Sequence, residues 1–154
     1  MALVESWSIR GIIVLMNAPV TAFRAPTPSI VNHIAREDLL HLYRDGHPNY
    51  KRIAELAKLS KTDLGKISGV AKSSVRFDAH IPEPVAERLR EIANIANLVA
   101  EFFAGDAQKV GLWFEIANPM LGNISPRDMI RIGRYKRLLN FVIEARAAEV
   151  ATPR

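Results

Sequence analysis

The chain has 154 residues, 49% of them hydrophobic and 24% charged, which is typical of a globular protein with one domain or two small ones. It contains no cysteine, which excludes a disulfide scaffold, a thiol nucleophile and a Cys-ligated zinc site, and a cytoplasmic location is expected. The net charge of +5 favours an anionic partner without identifying it.

The first thirty residues contain one apolar run, at residues 12–16, which is too short to span a bilayer or to form the core of a secretory signal. Residues 17–29 follow with three prolines and no hydrophobic periodicity. We therefore expect residues 1–30 to form a disordered, flexible arm. Met16 stands immediately before the proline-rich stretch and is an alternative start of the native chain, which N-terminal sequencing would test.

Beyond residue 30 the apolar residues recur at helical spacing, which predicts an all-α fold. A first short helix is expected before the turn signal of residues 45–48. Its apolar positions are Ile34, Leu39, Leu42 and Tyr43. A second helix is expected to carry Ile53, Leu56, Ala57 and, at its end, Leu59.

A long helix is expected to begin near Pro84, because proline is favoured in the first turn of a helix, and to end before Gly105. Its apolar residues follow at steps of three and four: Val85, Leu89, Ile92, Ala96, Val99 and Phe103. Asp106 is placed to cap the next helix, in which Trp113 and Phe114 are predicted to be core residues.

The last third of the chain contains two further helix signals. Asn118 is expected to cap or brace a turn before Pro119. Ser125, followed at once by proline, is a helix-start signature, and Gly133 is expected to separate this short helix from the last one.

Residues 61–76 match the spacing of a DNA-binding helix-turn-helix. Gly65 stands where the second helix would cross closely, and Gly69 stands in the turn, where a positive φ is required. The second helix is expected to begin near Ala71. The side chains predicted to contact DNA are Lys61, Thr62, Lys72, Ser73, Ser74 and Arg76. A plain helical hairpin with solvated charges is the alternative, and since one such module binds DNA weakly, self-association is expected.

The C-terminal half contains an ordered string of motif residues. They are Gly105 with Asp106, Trp113, Asn118 with Pro119, Leu121 with Gly122, Ser125 with Pro126, and Gly133. Over residues 98–147 this string resembles the toxin-binding domain of the Xre/MbcA/ParS-type antitoxins. The preceding helix-turn-helix is similar to the Xre-like domain of the same family.

This resemblance implies an Xre-like helix-turn-helix bundle at residues 31–83. It also implies that residues 84–154 contain a long connecting helix followed by a small helical toxin-binding domain. It implies an antitoxin of a type II toxin–antitoxin system, which neutralises a RES-domain toxin that consumes NAD⁺ and represses its own operon. The last helix, residues 134–147, would block the toxin's active-site cleft beside the loop 118–125, with residues 148–154 as a tail. The residues expected at the toxin are Asn118, Leu121, Arg131, Arg134, Tyr135, Arg137, Leu138 and Phe141.

Two other functions stay open: a stand-alone Xre-like regulator whose C-terminal half only dimerises, and a protein-interaction module that no longer binds DNA. The cations Arg131, Arg134, Lys136 and Arg137 suit a solvated face, a toxin contact or a second phosphate contact. A homodimer or a larger complex with the toxin is expected.

Catalysis is not expected, because the sequence has no Ser/His/Asp constellation, no Gly-rich phosphate loop and no clustered carboxylates. The four histidines, His33, His41, His47 and His80, lack the spacing of a helical metal site, so no metal is expected. The family resemblance implies that no cofactor is needed.

Overall fold

The computed structural model describes residues 34–151, and the predicted arm, Met16 and His33 lie outside this range. The elements in chain order are strands β1 (Tyr43–Arg44) and β2 (His47–Pro48), helices α1 (Tyr50–Leu56) and α2 (Lys61–Ser68), a 3₁₀ turn (Lys72–Ser74), helices α3 (Glu83–Phe102) and α4 (Ala107–Glu115), a second 3₁₀ turn (Pro119–Leu121), and helices α5 (Pro126–Arg131) and α6 (Tyr135–Ala151). The predicted helical character is confirmed, with one small hairpin added. In this part of the chain no helix is long and apolar enough to cross a membrane.

Helix α3 lies at the centre of the fold, because its predicted apolar stripe is buried from Val85 to Ala100. Helices α1, α2, α4 and α6 all pack against it. Pro84 lies in its first turn, as predicted. The buried side chains of both halves of the chain form one hydrophobic cluster that extends from Leu40 to Ala145.

The helix expected at residues 34–43 is wrong, and a short antiparallel hairpin follows that segment instead. Strands β1 and β2 pair Tyr43 with Pro48 across a turn of Asp45 and Gly46. Both turn residues have a positive φ, +52° and +77°. Asp–Gly is a preferred pair in hairpin turns with positive φ at both central residues, so the turn signal itself was sound.

Hydrogen bonds from a distant helix explain why the segment before this hairpin is not helical. Asn97 on α3 accepts at Oδ1 from the backbone N–H of Leu40 at 3.2 Å, and its Nδ2 donates to Asp38 at 3.0 Å. Asp38 also accepts from the backbone N–H groups of Leu42 and Tyr43 at 2.9 and 2.8 Å. These bonds satisfy the donors of the segment without a helix, since each buried N–H needs one partner.

The helix starts and the break predicted from Asp106, Ser125 and Gly133 are confirmed, whereas the second predicted helix, α1, ends at Leu56, before Ala57 and Leu59. Asp106 caps α4 by accepting from two backbone N–H groups of the first turn, and Ser125 caps α5 by accepting from the backbone N–H of Asp128. Gly133, with a φ of +75°, separates α5 from α6. The last helix is longer than predicted, because it includes residues 148–151, which were expected in the tail. These residues are Ala, Glu, Val and Ala, and no proline or glycine occurs among them to end the helix.

Candidate nucleic-acid and partner interface

A tight turn follows α2 where the helix-turn-helix spacing was found. A Cβ on Gly65 would lie 2.8 Å from the carbonyl oxygen of Val70, so the following segment can approach α2 only because residue 65 has no side chain. Gly69 ends α2 with a φ of +69°. Leu64 and Val75 are buried on either side of the turn. The close approach predicted at Gly65 and the positive φ predicted at Gly69 are both present.

The second helix of this motif is not formed as predicted. The segment that begins after Ala71 contains a single 3₁₀ turn, Lys72–Ser74, and Val75 is extended. Serine is weak in helices because its hydroxyl competes for backbone hydrogen bonds, and a β-branched valine follows at once. The expectation of an α-helix at this position is therefore wrong. The side chains of Lys72, Ser73 and Ser74 therefore extend from a 3₁₀ turn and not from an α-helix.

The residues predicted to contact DNA remain at the surface. Thr62 is partly buried, and the exposed ones are Lys61, Lys72, Ser73, Ser74 and Arg76. Arg76 is already engaged, because its guanidinium donates two hydrogen bonds to Asp78, at 3.0 and 2.6 Å. This bond is the main cause that lowers the pKa of Asp78 below its usual value. The charge of Arg76 is partly neutralised by Asp78, although its Nη1 keeps free donors, whereas Lys72 has no ion pair in residues 34–151.

The eight residues predicted to contact a toxin fall into two groups. Asn118, Leu121 and Leu138 are buried, and Asn118 caps the second 3₁₀ turn by accepting from the backbone N–H of Met120 at 2.9 Å. Asn118 and Leu121 keep 4% of their surface and Leu138 keeps none, so a partner would reach them only by displacing the side chains that cover them, and their contact with a toxin stays a prediction. Arg131, Arg134 and Arg137 are exposed, and Tyr135 and Phe141 are partly buried.

Tyr135 lines a groove between α3 and α6 that the sequence did not indicate. The groove has a volume of about 380 Å³, and its other lining residues are Glu91, Asn94, Ile95, Lys136, Leu139 and Asn140. The Arg88 guanidinium lies 4.3 Å from the centroid of the Tyr135 ring and pairs with Glu91. The walls come from helices that are far apart in the sequence, so no local pattern could predict the groove.

An ion pair between Asp63 and Arg131 connects the predicted DNA-binding segment with the predicted toxin-binding segment. Arg131 Nε lies 3.2 Å from Asp63 Oδ1, and Arg131 Nη1 donates to Asp128 at 3.0 Å. Burial raises the pKa of Asp63, but hydrogen bonds from Ser60 and Arg131 outweigh burial and lower that pKa below its usual value. Sequence reasoning selected Arg131 and missed Asp63, although Ser60 with Asp63 three residues later is a capping-box pattern.

No group of three or more histidine, aspartate or glutamate side chains is arranged to hold a metal ion in residues 34–151. No family model, no curated protein and no solved structure matches this chain. The exposed cations and the turns around them are therefore the features on which a function can be proposed.

Proposed function

We propose that the protein is the antitoxin of a type II toxin–antitoxin system. It neutralises a RES-type, NAD-consuming toxin through its C-terminal part and represses its own operon by binding operator DNA. The observation that carries the proposal is that the motif residues of the C-terminal half set the backbone conformation of successive turns. Asn118 and Ser125 are caps, and Gly122 and Gly133 have φ values of +80° and +75°. A string of such residues specifies a fold, which supports a family likeness rather than a chance match.

The proposed toxin contact is the outer side of α6 and its last turn. Arg134 and Arg137 are exposed and suit an acidic cleft. Val150 in this turn is 83% exposed and would add an apolar contact to such an interface. The ion pair of Arg146 with Glu101, at 2.9 Å, anchors the helix to α3 just before this turn.

Co-expression with the product of the neighbouring open reading frame tests the toxin half of the proposal. We expect that product to arrest growth alone and the full chain to restore growth. A chain that ends at Ala147 should fold, since the buried residues of α6 all precede Arg146, but it should restore growth less well because it lacks Val150. The matched control ends at Ala151 and should still neutralise. A neighbouring product that is harmless, or that stays toxic beside the full chain, contradicts the proposal.

The DNA half of the proposal depends on the exposed cations around the turn after α2. Replacing Lys61 and Lys72 by glutamine should weaken binding to the DNA upstream of the protein's own gene and flatten its salt dependence. An unchanged affinity and salt dependence would favour the module that does not bind DNA.

A stand-alone regulator is a second candidate, favoured by two exposed isoleucines in the C-terminal half. Ile116 is 48% exposed and Ile132 is 55% exposed, as expected of side chains covered in a dimer. Sedimentation of Ile116→Ser/Ile132→Ser should then show monomers where the wild type is dimeric. In that case the neighbouring gene product would not be toxic.

A further inference from the structure

Two stretches of the chain have exposed cations without an anionic partner in residues 34–151. One stretch surrounds α2, and the other lies at the start of α6. The cations are Lys58, Lys61, Lys66 and Lys72 in the first stretch, and Arg134, Lys136 and Arg137 in the second. Residues 57–77 contain a single acid, Asp63, and residues 129–143 contain none. Each stretch is therefore strongly positive.

The Asp63–Arg131 ion pair brings the two stretches together. Its Nε–Oδ1 distance is 3.2 Å, and α2 packs directly against α5. Lys66 lies one helical turn beyond Asp63, and Arg134 follows Arg131 across the tight turn at Gly133. The one carboxylate in the first stretch is neutralised at this junction. The two stretches therefore meet at the edge of α2 where Lys66 and Arg134 flank the Asp63–Arg131 pair, and we call the exposed cations Lys61, Lys66, Lys72, Arg134 and Arg137 on either side of it the basic surface.

We infer that this basic surface is one binding site for the phosphate backbone of nucleic acid, and that the start of α6 takes part in DNA binding. The inference rests on the DNA half of the proposed function and moves Arg134 and Arg137 from the toxin contact to the DNA contact, which leaves the last turn of α6 for the toxin. An acidic toxin cleft would explain the cations of α6 alone. A phosphate backbone, with a charge at regular intervals along each strand, explains both stretches.

The conformation of the turn after α2 also favours contacts with phosphates over contacts with bases. Base reading in the major groove is commonly carried by an α-helix, and the segment Lys72–Ser74 is only one 3₁₀ turn. Contacts to phosphates need no such helix, because they come from lysine and arginine side chains of any exposed element. Binding through this surface is therefore expected to depend strongly on salt and weakly on sequence.

Binding of the full chain to a short random-sequence duplex, measured by fluorescence anisotropy between about 50 and 200 mM salt, tests the inference. The variant Arg134→Gln/Arg137→Gln should lower the slope of log K against log salt by about 1.8, because each phosphate that is no longer neutralised lowers it by about 0.9. The matched control, Arg36→Gln/Arg44→Gln, removes the same charge from exposed residues outside the basic surface and should keep the wild-type slope.

Three outcomes would overturn the inference, and they differ in what they say of the proposed function. An unchanged slope in Arg134→Gln/Arg137→Gln, together with a reduced slope in Lys61→Gln/Lys72→Gln, assigns the cations of α6 to a protein partner and leaves DNA binding intact. Equal losses in the variant and the control indicate an effect of net charge alone. A wild type that does not bind the duplex at low salt removes both the inference and the DNA half of the proposal. Circular dichroism should show an unchanged fold in every variant.

Discussion

Gly65 is a residue at which the fold has no space for a side chain. A Cβ there would lie 2.8 Å from Val70 O and 3.4 Å from Lys72 N, both backbone atoms that cannot rotate away. Overpacking of this kind costs about 1–3 kcal/mol, while alanine regains up to about 1 kcal/mol of helix propensity. We expect Gly65→Ala to lower the free energy of unfolding by about 1–2 kcal/mol, as measured by urea denaturation.

Gly111 offers a matched control for this substitution, because it is also a buried glycine inside a helix. A Cβ at Gly111 would meet no atom nearer than 3.8 Å, which is an ordinary van der Waals distance. Gly111→Ala should therefore leave the stability unchanged or raise it by up to about 1 kcal/mol. Equal effects of the two substitutions would show that the contact with Val70 does not require glycine.

Asn97 is a polar residue on the buried side of α3, and only 3% of its surface is exposed. Its amide accepts from the N–H of Leu40 and donates to Asp38, so Asn97→Ala leaves a buried donor and part of a carboxylate without partners. We expect a loss of about 1–3 kcal/mol in the free energy of unfolding. Asn140→Ala, on the exposed side of α6, is the control and should have little effect. Similar urea midpoints for the two variants would contradict the role assigned to Asn97.

At the scale of elements, the contact between α2 and α5 depends on the ionised form of Asp63. The folded pKa of this carboxyl lies below the usual 3.8, which we take for the unfolded chain, so its stabilisation is complete above that value. It is lost as the pH falls from there through the folded pKa. We expect the stability of the wild type to decline across this acid range more steeply than that of Asp63→Asn.

The comparison with Asp63→Asn is needed because the pKa values of Asp38 and Asp128 are lowered as well, with hydrogen bonds outweighing burial at both. The contribution of Asp38 is common to both proteins and cancels in the difference, whereas that of Asp128 cancels only in part because Asp128 shares Arg131 with Asp63. At neutral pH the variant should be less stable, since it loses the ion pair with Arg131 and weakens the capping box with Ser60. Parallel curves of stability against pH would show that the pairing of Asp63 contributes nothing.

Helix boundaries that depend on neighbouring residues could be predicted from the sequence. A conformation that depends on contacts between distant residues could not. The caps of Asp106 and Ser125 act within three residues, so the sequence around them contains the whole cause. The segment before the hairpin was wrongly predicted as a helix. Its conformation depends on hydrogen bonds with Asn97, which lies up to 59 positions away in the sequence. An asparagine within an apolar helical stripe was the signal that could have indicated such a contact.

The same limit applies to the candidate site. Each basic stretch could be recognised in the sequence. The need for glycine at residues 65 and 69, for a close approach and for a positive φ, could be recognised as well. Their junction was not, because Asp63 and Arg131 are 68 positions apart. The absence of a helix after Ala71 had a local signal that was missed, because two serines followed by a β-branched valine disfavour a helix there.

At the scale of the whole molecule, the two predicted units share one hydrophobic core. Leu64 and Val75 from the first half belong to the same buried cluster as Val110 and Leu138 from the second. The boundary predicted between residues 83 and 84 falls at the start of α3, which packs against helices of both halves. A core shared in this way favours a single cooperative unfolding transition.

Trp113 makes this cooperativity measurable, because it is buried in the second half, edge-to-face with Phe114 at 5.1 Å. In a Trp7→Phe background its fluorescence reports on that half alone. We expect Gly65→Ala, in the first half, to move the urea midpoint of Trp113 fluorescence as far as it moves the midpoint of circular dichroism at 222 nm. If the Trp113 midpoint stays in place while the circular dichroism signal splits into two steps, the halves unfold independently. The ion pair of Asp63 with Arg131 would then join two separately stable units.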